Sequence, residues 1–249
     1  MTPMNILKNR IAVVTGATRG IGKGISQTFL DRGATVIGIY GGNEEAAGEC
    51  RLQWSDCKDR VHLMQCDVAD PDQVERFYDT VEERFDFIDI LVNNAGIRRD
   101  GILALMAVDD WRKVIDINLT GTFLMSRRGV KLMMKKKYGR IINITSPMAH
   151  LGFAGQANYA ASKAGQIGMS KSLSKECARK KITVNCVSPG FINTDLLDGL
   201  SDDQIKAYKK MVPMRRFGTI NEVAEAVVFL ASEQASYITG SVLEVNGGL

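Results

Sequence analysis

The stretch TGATRGIG, residues 15–22, decides the fold of this 249-residue chain because of what stands on either side of it. The apolar, β-branched run IAVVT precedes it, and residues 23–32 follow with apolar side chains at helical spacing. A strand, a glycine loop and a helix in this order are the context of a dinucleotide-binding loop. Glycines let the backbone approach a pyrophosphate, and the helix N-terminus presents N–H groups and a positive dipole end. The candidate cofactor contacts in this loop are Gly16, Ala17, Thr18, Arg19, Gly20, Ile21 and Gly22.

The glycine spacing is G-x-x-x-G-x-G rather than G-x-G-x-x-G, and a strand-to-helix turn without a ligand is the alternative interpretation. The second predicted strand, residues 34–40, bears on the choice of cofactor. It continues into Gly41-Gly42-Asn43, and the first acid is Glu44, so no carboxylate stands where it would repel a ribose 2′-phosphate. Arg19 is a candidate to bind such a phosphate, which favours NADP(H); a solvated loop arginine is the other interpretation.

Five more apolar runs alternate with helical segments, and no Pro/Gly/Ser-rich linker interrupts them. The runs IAVV, VIGI, ILV and IINI are apolar on both faces, as expected of a parallel sheet covered by helices. The sequence therefore predicts an α/β protein: a Rossmann-type doubly wound parallel sheet of about seven strands in a single domain over residues 1–249. The later strands are predicted at residues 61–66, 88–92, 141–145, 182–187 and 241–245. Helices are predicted within residues 44–60 and at 73–85, 111–128, 158–180 and 221–231, and residues 193–210 are predicted to be polar and mobile.

Composition and charge exclude several functional classes. The net charge of +4 is mild, so no nucleic-acid partner is expected. No apolar run of about 18 residues indicates a membrane-spanning helix, and the N-terminal stretch lacks the apolar core of a signal peptide. The five cysteines show no C-x-x-C spacing, and there are only two histidines. We therefore expect reduced thiols, no metal site and a cytoplasmic protein.

The stretch from Ser146 to Lys163 contains the groups of a proton-transfer site. Tyr159 and Lys163 stand four residues apart and share one face of a predicted helix. A lysine ammonium stabilises a nearby phenolate, so we expect it to lower the pKa of Tyr159 toward the working pH. Ser146, at the end of the fifth strand, is placed to hydrogen-bond the oxygen that the phenol protonates. These residues predict catalysis on a carbonyl/alcohol pair, which requires a bound hydride donor.

Further candidate residues follow the carboxyl ends of predicted strands, which a parallel sheet brings to one edge. Asp67 follows the third strand, where a carboxylate can accept from an adenine amino group; a turn cap near Asp70-Pro71 fits as well. The segment Asn94-Ala95-Gly96 follows the fourth strand and permits close approach of a cofactor, although an Asn-rich turn also explains it. Pro189 and Gly190 follow the sixth strand.

Asn118 lies within the predicted helix 111–128. A buried asparagine must find hydrogen-bond partners, because an unpaired amide costs about 1–3 kcal/mol. Two interpretations fit: a satisfied core amide, and a side chain that disturbs the helix and holds a water near the active site.

Taken together and in order, these motifs resemble those of the short-chain dehydrogenase/reductase family. The matching features are TGATRGIG, NNAG at residues 93–96, Asn118, Ser146, Tyr159-x-x-x-Lys163 and Pro189-Gly190. The resemblance covers essentially the whole chain. Within the family the chain looks most like the subgroup that uses NADPH to reduce 3-oxoacyl thioesters carried on acyl carrier protein in fatty acid biosynthesis.

The resemblance implies a role for each matching residue. Tyr159 would donate the proton, Lys163 would lower its pKa and bind the nicotinamide ribose, and Ser146 would orient the carbonyl. Asn118 would hold a water in a proton relay to Lys163. The positions that the family aligns with cofactor contacts are Ile192 and Thr194 for the nicotinamide amide, and Asp67 and Val68 for the adenine.

The chain departs from the subgroup in three places. Residues 101–108, GILALMAV, are less charged than is typical, and residues 148–153 replace a small, glycine-containing loop with a bulkier one. Lys137 and Lys180 stand where the subgroup uses arginines to receive acyl carrier protein. Their charge is kept but bidentate phosphate contact is lost, and solvated helix-end lysines are the alternative interpretation.

Three functional hypotheses follow. The first is the NADPH-dependent reductase of 3-oxoacyl thioesters. The second is the same chemistry on another carbonyl, such as acetoacetyl-coenzyme A, a polyketide intermediate, a sugar or an aromatic ketone. The third is a cofactor-binding scaffold without catalysis, which the intact Ser146, Tyr159 and Lys163 disfavour. The family also implies a homotetramer.

Overall fold

The computed structural model describes residues 5–194 and 201–249, and it confirms the predicted seven-stranded, all-parallel sheet. The strand order is β3-β2-β1-β4-β5-β6-β7. The strands are β1 Ile11–Thr15, β2 Thr35–Tyr40, β3 Val61–Gln65, β4 Ile90–Asn93, β5 Gly139–Ile144, β6 Ile182–Pro189 and β7 Val242–Val245. The order reverses direction between β1 and β4, and in open α/β sheets the crevice outside the carboxyl ends at such a point is where ligands bind.

Helices cover both faces of the sheet. The α-helices of the described residues are α1 Gly20–Asp31, α2 Glu44–Gln53, α3 Pro71–Phe85, α4 Val108–Ile115, α5 Gly121–Lys136, α6 Met148–Leu151, α7 Ala157–Cys177, α8 Asp202–Met211 and α9 Ile220–Ala231. In the part of the chain that the structure describes, no helix is long and apolar enough to cross a membrane.

Alternate residues of each central strand enter two separate apolar cores. In β1, Ala12 and Val14 pack with α1 and α9, whereas Val13 packs on the other face with α3 and α5. All three side chains are fully buried. Burial on both sides explains why these strands are continuous apolar runs without polar alternation.

The predicted helix 111–128 is interrupted. Residues Asp116–Thr120 form a single π-helical turn between α4 and α5, and Asn118 lies at its centre. Single π-helical turns within α-helices are frequent at functional sites. The expectation that Asn118 disturbs the helix therefore agrees with the structure.

The stretch predicted to be polar and mobile, residues 193–210, contains a regular helix. Residues 195–200 lie outside the described part of the chain, and α8 begins at Asp202. Ser201 and Gln204 form a reciprocal capping box at its N-terminus. This S-x-x-Q pattern is visible in the sequence and is the signal from which the helix could have been predicted.

Candidate active site

The glycine loop after β1 turns tightly enough to require glycine at two positions. Gly16 has a φ of +65°, which side chains rarely adopt. A Cβ on Gly22 would lie 2.0 Å from the carbonyl oxygen of Gly16. The loop is therefore a cradle of bare backbone at the point where the strand order reverses.

The N-terminus of α1 has the hydrogen-bonding character that a pyrophosphate site needs. Its first residue, Gly20, follows Arg19, whose side chain does not cap the helix. The N–H groups of the first turn have no intrahelical partner. They suit a phosphate group, which a helix N-terminus binds through these N–H groups and its dipole.

The segment after β4 is bound to the end of β1. The Thr15 hydroxyl accepts from the backbone N–H groups of Asn94 and Ala95, each at 2.9 Å. The Asn94 amide donates to the carbonyl oxygens of Thr15 and Gly16 at 2.9 and 3.2 Å. Through these bonds the Asn94 side chain links the segment after β4 to the end of β1. It therefore has a role beyond the Asn-rich turn that was the alternative interpretation.

The first acid after β2, Glu44, lies closer to the end of this strand than its place in the sequence indicated. Glu44 folds back so that its carboxylate accepts from the Tyr40 hydroxyl and from Arg51, both at 2.6 Å. These two hydrogen bonds hold the pKa of Glu44 below its usual range, with the Tyr40 bond contributing more. Arg19 is exposed and forms no ion pair within the described residues.

Ser146, Tyr159 and Lys163 lie together at the carboxyl edge of the sheet. Ser146 follows β5, its side chain is buried, and its hydroxyl accepts from the backbone N–H of Met148 at 3.3 Å. Tyr159 and Lys163 are on the first turns of α7. The Lys163 ammonium donates to the Ile144 carbonyl oxygen at 2.8 Å and lies 5.6 Å from the centre of the Tyr159 ring.

Burial controls the protonation of both groups. Desolvation raises the pKa of Tyr159, although a hydrogen bond from Ser146 and the charge of Arg98 act to lower it. Desolvation also lowers the pKa of Lys163 to about 8. The expected lowering of the Tyr159 pKa is therefore wrong in direction, because removal of the phenol from water outweighs the favourable contacts. At neutral pH Tyr159 holds its proton and Lys163 its charge.

Asn118 is fully buried, and its amide has three partners. Its Oδ1 accepts from the Ile97 N–H at 2.8 Å, and its Nδ2 donates to the Ile97 carbonyl oxygen at 3.0 Å and to Ser162 at 3.1 Å. These bonds are those of the core-amide interpretation, and the π-helical turn agrees with the expectation that Asn118 disturbs the helix. That its side chain holds a water stays a prediction.

Sequence reasoning missed a fully buried glutamine beside these residues. Gln166, one turn beyond Lys163 on α7, accepts from the Lys163 ammonium at 3.1 Å and donates to the Asn118 carbonyl oxygen at 2.8 Å. Five of the seven buried positions of α7 recur every four residues and are uncharged and polar: Asn158, Ser162, Gln166, Ser170 and Ser174. An uncharged polar stripe at helical spacing is the signal that could have revealed Gln166.

The remaining predicted cofactor residues also lie along the carboxyl edge. Gly96 is close to the catalytic groups, since a Cβ there would lie 3.6 Å from Lys163 Nζ. Thr194 lies over the glycine loop, 4.0 Å from the Cβ position of Gly20. Asp67 is exposed at the end of β3, where it forms the turn that was its alternative interpretation by accepting from the Ala69 N–H. Three further predicted cofactor contacts also lie at this edge. Val68 is buried against α5, Gly190 follows Pro189 at the end of β6, and Ile192 is buried two residues later.

An aromatic wall borders the side of the crevice next to Ser146. The Phe191 and Tyr208 rings stack at 5.0 Å, and Phe153 lies 6.3 Å from Tyr208. The wall joins α8 to the loop after β5, which the sequence identified as bulkier than usual. In front of it, Arg98 forms an ion pair with Asp100, which also accepts from Gln156.

Lys137 and Lys180, the predicted contacts for acyl carrier protein, lie away from the catalytic residues. Both are exposed, at the C-terminal ends of α5 and of the turn that follows α7. They directly precede β5 and β6 and so lie at the amino edge of the sheet. A six-residue strand such as β5 separates the two edges by roughly 20 Å.

Comparisons with known proteins agree with this geometry. A family model described as enoyl-(acyl carrier protein) reductase matches residues 16–249. The chain is 47% identical over 242 residues to 3-oxoacyl-[acyl-carrier-protein] reductase FabG of Salmonella typhimurium, covering 97% of this chain and 98% of that protein. It is 42% identical over 243 residues to the FabG reductase of Aquifex aeolicus and 44% identical over 243 residues to nodulation protein G of a Rhizobium species, with 98% of each chain covered in both cases.

Proposed function

Because the chain belongs to the short-chain dehydrogenase/reductase family, we propose that it reduces 3-oxoacyl groups, carried as thioesters on acyl carrier protein, to 3-hydroxyacyl groups in fatty acid biosynthesis. As a member of the family it is an oxidoreductase that acts on a CH–OH/C=O pair with a nicotinamide cofactor. The observation that carries the proposal is the Ser146, Tyr159 and Lys163 cluster beside the uncapped glycine loop. Relatives named for this reaction, with nearly full coverage, support the choice of substrate.

The residues of the site divide the reaction between them. The bound nicotinamide supplies the hydride for the carbonyl carbon. Ser146 donates a hydrogen bond to the carbonyl oxygen and holds it near the phenol. Tyr159 donates its proton to that oxygen, and its raised pKa keeps it protonated until the oxygen becomes a stronger base than the phenolate. The Lys163 ammonium stabilises the phenolate that remains.

NADP(H) is the proposed form of the cofactor. The exposed guanidinium of Arg19 stands at the glycine loop, and the first acid after β2, Glu44, is already paired with Arg51. A 2′-phosphate would therefore meet a cation, and the Glu44 carboxylate would not compete for it. We expect Arg19→Ala to raise the KM for NADPH about tenfold and to leave the KM for NADH nearly unchanged. Equal effects on the two cofactors would contradict this assignment.

Acyl carrier protein is the proposed macromolecular partner, and Lys137 and Lys180 are its proposed contacts. Both lie at the edge of the sheet opposite Ser146. A carrier bound at these lysines would therefore have to deliver its acyl group to a catalytic site at the opposite edge of the sheet or to the catalytic site of a second subunit. Half-exposed apolar side chains on α4 and α5, Trp111 and Phe123, support the proposed homotetramer. Sedimentation as a monomer at micromolar concentration would contradict it. The five free cysteines support the proposed cytoplasmic location.

The proposed function is tested with purified protein, NADPH and three thioesters: acetoacetyl-acyl carrier protein, acetoacetyl-coenzyme A and crotonyl-acyl carrier protein. We expect turnover of both acetoacetyl substrates and none of the crotonyl substrate, whose C=C bond presents no oxygen for Tyr159 to protonate. Absence of turnover with either acetoacetyl thioester would overturn the proposal. Reduction of the crotonyl thioester would instead favour the reaction for which the family model is named.

A second candidate is the same reaction on a compact aromatic or cyclic ketone. The aromatic wall of Phe153, Phe191 and Tyr208 favours it, because aromatic rings prefer stacked or edge-on contacts at such distances. A panel of ketones decides between the two. A kcat/KM for any carrier-free aromatic ketone above that for acetoacetyl-acyl carrier protein would favour this candidate.

A further inference from the structure

Lys163 is held by two acceptors of different kinds. The backbone carbonyl of Ile144, at the end of β5, accepts from Nζ at 2.8 Å, and the side-chain oxygen of Gln166 accepts at 3.1 Å. An ammonium has three N–H donors. Two of them are therefore occupied by the protein, and one remains to be directed at the reacting groups.

The other end of the Gln166 amide reaches the π-helical turn. Its Nε2 donates to the Asn118 carbonyl oxygen at 2.8 Å and to the Thr122 hydroxyl at 2.6 Å. The Thr122 hydroxyl itself donates to the same Asn118 carbonyl oxygen at 2.7 Å. Both lone pairs of that oxygen are thus used, and all hydrogen-bonding groups of the Gln166 amide are satisfied.

This closed arrangement changes the role expected for Asn118. The resemblance to the family implied a water, held by Asn118, in a relay to Lys163. In this chain a side-chain amide connects the Asn118 carbonyl directly to the ammonium. An amide has no readily lost proton, so it fixes positions and charges and does not pass protons along.

We propose that Gln166 is a positioning residue that holds the Lys163 ammonium in place for the reaction by bridging it to the Asn118 carbonyl oxygen. The inference rests on the proposed function, since it assigns a role within the same proton-transfer site. Gln166, Asn118, Ser162 and Lys163 are all buried, so water does not compete for these hydrogen bonds. In such surroundings the loss of one bond to a charged group has a large effect.

The inference predicts opposite effects for two substitutions. Gln166→Met keeps an unbranched side chain but removes the acceptor that favours the ammonium, so the pKa of Lys163 should fall by about one unit. Gln166→Glu places a carboxylate at the same position, so that pKa should rise. The charged or titratable groups that face Lys163 are Tyr159 on its own helix and Cys186 on β6, and neither is changed by these variants.

The test measures the pH dependence of acetoacetyl thioester reduction for wild type, Gln166→Met and Gln166→Glu. We expect the alkaline midpoint of kcat to move to lower pH in the Met variant, with kcat reduced about tenfold, and to higher pH in the Glu variant. A role in packing alone would lower stability or rate and leave both midpoints where they are. That result would overturn the inference.

A readout without turnover separates this inference from the proposed function. In protein labelled with 13C-lysine, the Lys163 Cε resonance is assigned by its loss in Lys163→Met and titrated in each Gln166 variant. If the wild type reduces no thioester but the titration shifts in opposite directions, the positioning role stands and the proposed substrate is wrong. Ser126→Ala is the matched control, because it removes a buried hydrogen bond with Asn93 without touching Lys163 or Asn118. Its Lys163 titration should equal that of the wild type.

Discussion

The two edges of the sheet contain different kinds of polar groups. At the carboxyl edge, Lys163 donates to Gln166, Gln166 donates to the Asn118 carbonyl oxygen, and Asn118 donates to Ser162, so most of the groups in this network are uncharged. At the amino edge, Asp89, just before β4, is fully buried and accepts from Arg10 at 3.2 Å and from the Ile11 N–H at 2.9 Å. Arg140, at the start of β5, is also buried and pairs with Glu233 at 3.2 Å.

This difference indicates that the amino edge contributes mainly to stability and the carboxyl edge to catalysis. The ion pairs of the amino edge hold the starts of β1, β4 and β5 to the segment after α9, and no predicted catalytic residue touches them. At the carboxyl edge the buried ammonium of Lys163 has no carboxylate partner within the described residues. Isolated charges are costly in a buried site and are retained there when the site uses them. Substitutions at one edge should therefore change turnover, and substitutions at the other should change stability.

The largest effect is expected at the carboxyl edge. Tyr159→Phe removes the proton donor and keeps the ring, so turnover should fall by about 10²–10⁴-fold with little change in NADPH binding. Steady-state kinetics and cofactor fluorescence titration measure the two effects. Tyr237→Phe, at a fully exposed position, is the control and should match the wild type. Retention of more than half of the turnover in Tyr159→Phe would show that another group donates the proton.

The amino edge is tested by Asp89→Ala. It leaves the Arg10 guanidinium and the Ile11 N–H without their buried acceptor, so the free energy of unfolding should fall by about 3 kcal/mol. Urea unfolding measures the loss, and kcat at low temperature should stay near the wild-type value. Asp79→Ala breaks an exposed pair with Arg128 and should cost less than about 1 kcal/mol. A large fall in kcat for folded Asp89→Ala would contradict the separation of the two edges.

The pH dependence of turnover should follow Lys163. Because its pKa is about 8 and that of Tyr159 is raised, the lysine loses its proton first as pH rises, and kcat for reduction should fall with a midpoint near pH 8. The same shift affects stability. The folded-state pKa lies below the ordinary 10.5, so the unfolded chain binds more protons between these values and this group makes the free energy of unfolding rise with pH there. A kinetic midpoint above pH 10 would point to Tyr159 instead.

The smallest effect is expected from the exposed lysines of the amino edge. Lys137→Glu with Lys180→Glu should raise the KM for acetoacetyl-acyl carrier protein a few-fold, because like charges then face an acidic carrier. The KM for acetoacetyl-coenzyme A should not change. A matched double variant, Lys58→Glu with Lys206→Glu, alters the net charge equally at other exposed positions. If it has the same effect, the surface contributes only through overall charge.

The sequence predicted the sheet well because each strand is buried on both faces. Short continuous apolar runs such as IAVV and IINI are typical of strands in a parallel sheet covered by helices, and the ends of these strands fix where the following loops lie. Strand boundaries shifted by one or two residues, as in β5, which begins at Gly139 rather than at Ile141. Helix α8 was missed because its interior is polar and its signal is confined to the capping box at Ser201.

The site was predictable in its residues but not in its connections. Tyr159 and Lys163 follow from the spacing on a helix, whereas the bridge through Gln166 depends on where the π-helical turn places the Asn118 carbonyl. The direction of the Tyr159 pKa shift was also wrong, because the sequence shows the neighbouring cation but not how completely the fold removes the phenol from water. Long-range hydrogen bonds and desolvation are properties of the packed structure.

The polar stripe of α7 determines the rotation of this helix about its own axis. Apolar packing is non-directional and tolerates rolling of a helix on its neighbours, whereas a hydrogen bond weakens steeply as its angle departs from linearity. Asn158 donates to the Arg99 carbonyl, Ser170 accepts from Asn143, and Gln166 is bound at both ends. One residue corresponds to about 100° of rotation, and catalytic groups tolerate errors of only about 10–20°. The stripe thus determines in which direction Tyr159 and Lys163 point.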